Sequence, residues 1–471
     1  MICAWWRKER GYRVIARSRA VTTGIAAALI LSQSLVVFLP QARAQQGQAA
    51  PAAVDFKFSF GPGRLAPDAV RVLPSTVYSH ELGYGFEPGA SIQCLDRGAA
   101  DASRSHFCTS DKPFFFSVDV PEGDYDVTIV LGDPQGQSVA TVKAESRRLL
   151  IVKSETSAGQ FDTRSFTVNV RYPEIAGGGR VSLKPRELAT WDWDHKLTLE
   201  FNNKRPCVVS LEIKKAERAV TVYLAGDSTV VDQAVEPWCA WGQMLPLFFK
   251  PGVSIANNAE SGETLKAFIS EYRFAKIMST IKPGDYLFIQ FTHNDQKPGP
   301  DHVDAFTDYK SFLKLYINEA RLHGATPVLV TSMNRRTFGP DGKITNSMGD
   351  YPEAMRQTAK EENVALIDLN AMSKILYEAW GPENSVKAFV QYPAGTFPGQ
   401  TQELKDNTHF NSYGAYELAK CIVEGIKSNQ LGIAQYLLGD TAPFDPAHPD
   451  PFEDWHLPMS PFSTPTAPAG R

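Results

Sequence analysis

A change of hydrophobic period near residue 218 constrains this chain more than any other feature. Upstream, short runs alternate apolar and polar residues: DFKFSFG (55–61), FFFSVDVP (114–121), YDVTIVLGD (125–133), SFTVNVR (165–171) and KLTLEFN (196–202). Period two is the signature of half-buried strands, and turn residues at 122–124, 177–179 and 202–203 separate the runs. Several strands at this spacing, with no long helix-period stretch between them, predict an all-β sandwich over 54–215. Downstream, apolar runs recur at VTVYLAG, YLFIQF, TPVLVTS and VALIDL, with helical patterns between them. Tyr309, Phe312, Leu313, Tyr316, Ile317 and Ala320 share one helix face ahead of Gly324, a C-terminal stop. Ala415, Leu418, Ala419, Ile422, Val423 and Ile426 repeat the pattern near the end. Strands alternating with helices predict a parallel sheet covered on both faces, over 219–430. At 471 residues the chain is long enough for two such cores.

The two ends read differently. Arg7, Lys8, Arg10, Arg13, Arg17 and Arg19 precede an apolar stretch at 26–40, which ends in the small-x-small pattern Ala42-Arg43-Ala44. That is the layout of a signal peptide over 1–44, so an exported protein is expected, periplasmic or extracellular, with no stable membrane partner after cleavage. At the other end, eight prolines within 441–471 predict an extended or disordered tail.

Charge narrows the partners. Removing residues 1–44 takes seven basic residues and one acidic residue from totals of 48 and 52, leaving 41 and 51. An acidic chain without a basic stripe is not built to bind nucleic acid. Five cysteines remain, at 94, 108, 207, 239 and 421, and an oxidising compartment allows Cys94 and Cys108 to close a short loop. The odd total leaves at least one thiol unpaired. Cys-x-x-Cys and His-x-x-x-His spacings are missing, so the sequence offers no metal motif.

Four polar segments follow strands or precede the last helix. YLAGDSTVVD (223–232) ends a strand in a tight Gly-Asp turn and leaves the Ser228 hydroxyl beyond the sheet. In open α/β sheets, reactive groups sit past the carboxyl ends of strands. ANNAESGETL (256–265) offers the Gly262 amide, and FTHNDQK (291–297) offers the Asn294 side chain. LKDNTHFNSYGAYELA places Asp406 three residues before His409, in a polar loop ahead of the final helix. Taken singly, each segment is ordinary capping or turn chemistry. Together they supply a nucleophile, a base with an acid behind it, and donors for a tetrahedral oxyanion.

In this order the segments resemble the SGNH/GDSL hydrolases, a family of esterases and acylhydrolases on a flavodoxin-like three-layer α/β/α fold. The resemblance implies Ser228 as nucleophile, His409 as base, Asp406 behind it, and an oxyanion hole of the Ser228 and Gly262 amides with Asn294. GDST, WGQML (241–245), NNAESGET, THND and DNTHFNSYGA are similar to the rhamnogalacturonan acetylesterase branch. FGPG (60–63), LGYGFE (82–87), VPEGDYDVTIVLGD, ESRRLL (145–150) and WDWDHKLTLEF (191–201) resemble the galactose-binding-like domain that precedes some members. An acetylated plant cell-wall polysaccharide, most of all rhamnogalacturonan, is then the expected substrate, and no cofactor or metal is called for. A xylan acetylesterase or a lipolytic acylhydrolase would use the same residues. A glycan-binding protein with an inactive hydrolase half is the alternative from another class. Trp238 and Trp241, ten and thirteen residues past Ser228, are candidates to stack on a sugar ring. One position departs from the family pattern: Thr292 stands where glycine is usual. If the backbone there is left-handed, a β-branched residue is expected to displace Asn294. For the β-rich domain, glycan binding and bracing of its neighbour are both open.

Overall fold

The computed structural model describes residues 55–99, 101–461 and 468. The signal-peptide assignment to 1–44 lies outside them. Among the described residues, no helix is long and apolar enough to cross a membrane.

The first part is a sandwich of a seven-stranded and a five-stranded sheet. Strand Gly123–Gly132 shows why the alternation predicts it: Tyr125, Val127, Ile129 and Leu131 are buried, while the residues between them are less so. It pairs antiparallel with Phe161–Val170 on one side and Val208–Lys215 on the other. From the facing sheet, Phe116, Val142, Leu199 and Phe201 complete the core. Phe116 packs edge-on to Phe58 at 5.1 Å between ring centres, a geometry that aromatic quadrupoles favour. Cys94 and Cys108 form a disulfide, and Cys207, Cys239 and Cys421 are free and buried.

The second part is an open parallel sheet of β1 (Val220–Gly226), β2 (Val253–Asn257), β3 (Tyr286–Gln290), β4 (Thr326–Val330) and β5 (Ala365–Ile367). Its order is β2-β1-β3-β4-β5, the flavodoxin-like arrangement. Its strands are nearly continuous apolar runs because both faces are covered. On one face lie α1 (Trp241–Met244), α6 (Leu369–Asn384) and α7 (Ser412–Ser428), packed with Val222, Leu224 and Val328. On the other lie α2 (Leu265–Ser270), α3 (Arg273–Thr280), α4 (Lys310–Leu322) and α5 (Tyr351–Glu362), packed with Tyr223, Leu287 and Leu329. Alternate residues of one strand thus enter opposite cores, as period two requires.

The two parts meet through charged and polar side chains and through Leu149 and Val152 of the sandwich, which join the apolar cluster of the hydrolase part. The tight turn 145–147 of the sandwich, between strands Ser138–Ala144 and Arg148–Thr156, reaches the loop that follows Ser228. Buried Arg148 donates to Asp232 Oδ2 (2.6 Å), Asp192 Oδ1 (3.1 Å) and the Asn169 carbonyl (2.7 Å). Arg147 donates to the carbonyls of Gln233 (2.8 Å) and Trp238 (3.0 Å) and pairs with Glu236 at 2.5 Å. Gln243 Nε2 returns a bond to the Ser146 carbonyl at 2.7 Å. A buried charge is tolerable only with such partners, so the two parts are registered against each other by specific bonds.

The proline-rich tail corrects an expectation. Residues 441–461 hold one short 3-10 helix, Phe452–Asp454, and otherwise run without regular structure, mostly exposed but fastened by two side chains. Trp455 stacks on Tyr416 with ring centres 4.3 Å apart, and its Nε1 donates to Ser412 Oγ at 3.1 Å. Ser460 Oγ donates to Glu200 and accepts from Lys143, both in the sandwich, while its amide donates to Glu236 in the hydrolase part. The prolines prevent regular structure but leave Trp455 and Ser460 free to anchor the strap.

Candidate active site

Ser228 lies two residues past β1. Asp227, buried before it, accepts from the Thr229 amide (2.9 Å) and hydroxyl (2.8 Å), and so closes the turn that presents the serine. The amides of Val230 and Val231 both donate to the Asp227 carbonyl, and Gln233 Nε2 donates to the Ser228 carbonyl at 2.7 Å. Gly242 in α1 permits the close packing beneath this turn: a Cβ there would come within 2.2 Å of the Val230 carbonyl oxygen.

Asp406 and His409 belong to strand Leu404–Phe410, which pairs antiparallel with Phe389–Tyr392. A polar loop was expected there, and the extended backbone is the difference. The isolated bridge between Cys239 and Phe410 ties this strand to the loop after Ser228. The relay is complete: His409 Nε2 lies 2.7 Å from Ser228 Oγ, and His409 Nδ1 lies 2.8 Å from Asp406 Oδ2. Asp406 Oδ1 accepts from the amides of Thr408 (2.9 Å) and His409 (3.0 Å). Burial opposes its charge, but the bonds and charge of His409 and these amides outweigh it and hold the Asp406 carboxyl well below the ordinary range. An acid kept ionised can orient the imidazole and stabilise it as it gains a proton.

The expected donors also converge. Gly262, in the turn after β2, has φ +87°, a conformation in which glycine carries no strain. Asn294, after β3, lines the same cavity as Gly262. Its Nδ2 donates one hydrogen to the Glu263 carbonyl at 3.0 Å, while its Oδ1 accepts from Lys297 at 3.1 Å, which leaves one N–H. Among the described residues, neither the Ser228 amide nor the Gly262 amide donates to a protein acceptor. Thr292 does not displace Asn294. It is not left-handed, and its hydroxyl lies 3.0 Å from that of Tyr309, which itself donates to the Phe291 carbonyl.

Trp238 and Trp241 require a correction. Both are among the largest fully buried side chains, so neither face is open to a sugar ring. Trp238 Nε1 donates to Asp406 Oδ2 at 3.3 Å, and Trp241 Nε1 donates to Gln290 Oε1 at 2.8 Å. Gln290 Nε2 passes the chain on to Thr229 Oγ1 at 2.7 Å. The loop after Ser228 turns back under the site, so ten residues of separation place an indole beneath the relay.

His293 and Asp227 fall inside the THND and GDST motifs, but their pairing is visible only in the structure. His293 Nδ1 lies 3.5 Å from Asp227 Oδ2. Burial disfavours charge on both groups; His293 and the Thr229 donors nevertheless hold the Asp227 carboxyl below its usual value, while burial keeps the His293 imidazole below its own. Arg335, past β4, joins three segments by donating to Thr408 Oγ1, the His293 carbonyl and the Ser347 carbonyl, each at 3.2 Å. These partners meet only when separate strand ends converge. Among the described residues, no group of three His, Cys, Asp or Glu side chains is arranged to hold a metal ion.

This is an ester-hydrolase site on a parallel α/β sheet, with an all-β sandwich in front of it. Residues 224–415 match the GDSL-like lipase/acylhydrolase family, and residues 56–165 match the galactose-binding-like domain of β-agarase/YXIM-type esterases. Rhamnogalacturonan acetylesterase RhgT of Bacillus subtilis is 42% identical over 224 residues, 47% of this chain and 96% of that protein. The uncharacterized esterase YxiM of the same organism is 27% identical over 394 residues, 81% of this chain and 92% of that protein. The crystal structure of YxiM aligns with 25% identity and a TM-score of 0.42, over 80% of this chain and 99% of that one. The chain belongs to the GDSL-like lipase/acylhydrolase family.

Proposed function

We propose that the chain is an exported acetylesterase that removes acetyl groups from rhamnogalacturonan through an acyl-enzyme on Ser228. The hydrogen-bonded line from Ser228 Oγ through His409 to Asp406 carries the reading. His409 Nε2 takes the serine proton as Oγ attacks the acetyl carbonyl. The oxyanion is met by the amides of Ser228 and Gly262 and the open N–H of Asn294. His409 then protonates the departing sugar hydroxyl, and water repeats the sequence to release acetate. The proton that His409 takes from Ser228 goes to the sugar oxygen, and the proton it later takes from water goes back to Ser228.

The substrate rests on likeness to RhgT and to a second Bacillus subtilis protein, described as a probable rhamnogalacturonan acetylesterase, 36% identical over 220 residues. Export rests on the charged and apolar pattern of residues 1–44. A substrate panel tests the reading. Acetate release should be fastest from acetylated rhamnogalacturonan, ahead of acetylated homogalacturonan, acetylated xylan and a long-chain ester. A preference for xylan or for the long-chain ester would overturn it.

A further inference from the structure

The sandwich reaches the neighbourhood of the site through Lys184 and Arg186, whose Nζ and Nη2 donate to the Ser261 carbonyl at 3.1 and 2.5 Å, and through Arg147. In the loop after Ser228 the Arg147 guanidinium alone holds three acceptors. Its Nη1 donates to the carbonyls of Gln233 (2.8 Å) and Trp238 (3.0 Å), and its Nη2 pairs with Glu236 Oε2 at 2.5 Å. Both ends of the span 233–238 touch the relay. Gln233 Nε2 donates to the Ser228 carbonyl at 2.7 Å, and Trp238 Nε1 donates to Asp406 Oδ2 at 3.3 Å. One side chain of the sandwich thus stands behind a bond to the nucleophile's backbone and a bond to the acid.

The turn that presents Arg147 is held in an unfavourable backbone conformation. Glu145 and Arg147 have φ of +53° and +68°, a region that costs an L-residue energy and persists only where its surroundings over-determine it. A hairpin turn that merely joined two strands would carry glycine or asparagine at such positions. Here both partners fix it. On the sandwich side, the Glu145 amide donates to the Thr198 carbonyl at 2.9 Å and Glu145 Oε1 accepts from the Thr198 amide at 3.0 Å. On the hydrolase side, Gln243 Nε2 donates to the Ser146 carbonyl at 2.7 Å and to the Gln233 carbonyl at 3.0 Å. The Arg147 and Glu236 side chains are only 8% and 6% exposed, so salt screens their pair little. Glu236 Oε1 is occupied by the Ser460 amide at 3.0 Å, which leaves Oε2 to Arg147.

We propose that Arg147 is a positioning residue of the esterase reaction: from the sandwich, it holds segment 233–238 so that Trp238 stays on Asp406 and Gln233 stays on the Ser228 carbonyl. The inference rests on the acyl-enzyme reading above, and it gives the sandwich domain a part in the rate of the reaction. Arginine suits the task because its planar fork offers five donors in fixed directions, whereas a lysine ammonium is a single point charge.

The test uses the full chain and a small aryl acetate. Arg147→Met should lower kcat about tenfold and change KM less than about twofold, since the bonds it supports act on the relay and not on the ester. That change also strands the buried Glu236 carboxylate, so Arg147→Met/Glu236→Gln is measured beside it; the unfolding midpoint should recover and kcat should not. Lys276→Gln removes a different contact between the domains, the pair with Glu122 at 2.5 Å. Lys276 lines a cavity with Thr221, near the start of β1, whereas Ser228 lies past its end, so this variant should keep the parent's kcat. In a Trp238→Phe background, Arg147→Met should cost less than about threefold, because both changes remove the same support. A parent-like kcat in Arg147→Met, a kcat that recovers together with the midpoint, an equal loss in Lys276→Gln, or the full loss repeated in the Trp238→Phe background would overturn the positioning role while leaving the esterase reading intact. A parent chain that hydrolyses no ester would overturn both.

Discussion

The indole N–H of Trp238 donates to Asp406 Oδ2 at 3.3 Å, the same oxygen that lies 2.8 Å from His409 Nδ1. Its carbonyl, in turn, accepts from Arg147 of the sandwich at 3.0 Å. A buried donor on a carboxylate favours the ionised form and fixes the oxygen's direction. Trp238→Phe keeps most of the volume and removes the donor. We expect kcat to fall about ten- to a hundredfold with KM little changed, as for loss of one bond to a charged group. Steady-state kinetics on a soluble acetate ester checks this, and an unchanged kcat would deny Trp238 a positioning role.

Asn294 keeps one N–H beyond its bond to the Glu263 carbonyl. If that hydrogen serves the oxyanion, Asn294→Ala should lower kcat by about 3 kcal/mol of transition-state stabilisation, with a far smaller effect on KM. A loss confined to KM would instead make Asn294 a ground-state binding residue.

Arg148 joins the domains from a buried position. Arg148→Met leaves Asp232 and Asp192 without their main cation, although Arg171 remains 3.6 Å from Asp192. Breaking a buried pair from one side costs about 3–5 kcal/mol, so the variant should show a clear fall in unfolding midpoint. Adding Asp232→Asn should recover part of the loss. Denaturant titration of the single and double variants measures both effects.

Asp295 is buried near the Asp227 carboxylate, accepts from the Leu265 amide at 2.8 Å, and has its carboxyl pushed up to about 7, chiefly by burial. With the folded value above the unfolded one, its contribution to stability is fully present below about pH 4 and is lost as pH rises toward 7. Asp295→Asn keeps the acceptor and removes the titration. Relative to the variant, the parent should therefore lose thermal stability between pH 4 and 8. A pH-independent difference in Tm would contradict the assignment.

Much of this was legible in advance, for identifiable reasons. The alternation in 125–133 and the apolar run 220–225 report burial on one face and on two faces, and burial is what a sequence records most directly. Ser228, Gly262, Asn294 and the Asp406–His409 pair were legible because each sits at a strand end or next to a helix start, where polar residues break an apolar pattern. Trp238 and Trp241 were misplaced because sequence distance does not show that a loop turns back under its own sheet. The roles of Lys184, Arg186 and Arg335 were not legible, and Arg147 was legible only as part of ESRRLL, since their partners lie in other elements and meet only in the folded chain. For residues 441–461 the prolines account for the lack of long regular elements, while the anchoring by Trp455 and Ser460 could not be read from them.

The most direct test of the account is acetate release from acetylated rhamnogalacturonan by Ser228→Ala beside the parent chain, with the folded state of each checked by its unfolding midpoint. The account predicts rapid release by the parent and a loss of at least about a thousandfold in the variant, whose midpoint should be close to the parent's. Release by Ser228→Ala at a rate near the parent's would contradict it, because the relay from Asp406 through His409 would then end on a hydroxyl the reaction does not use.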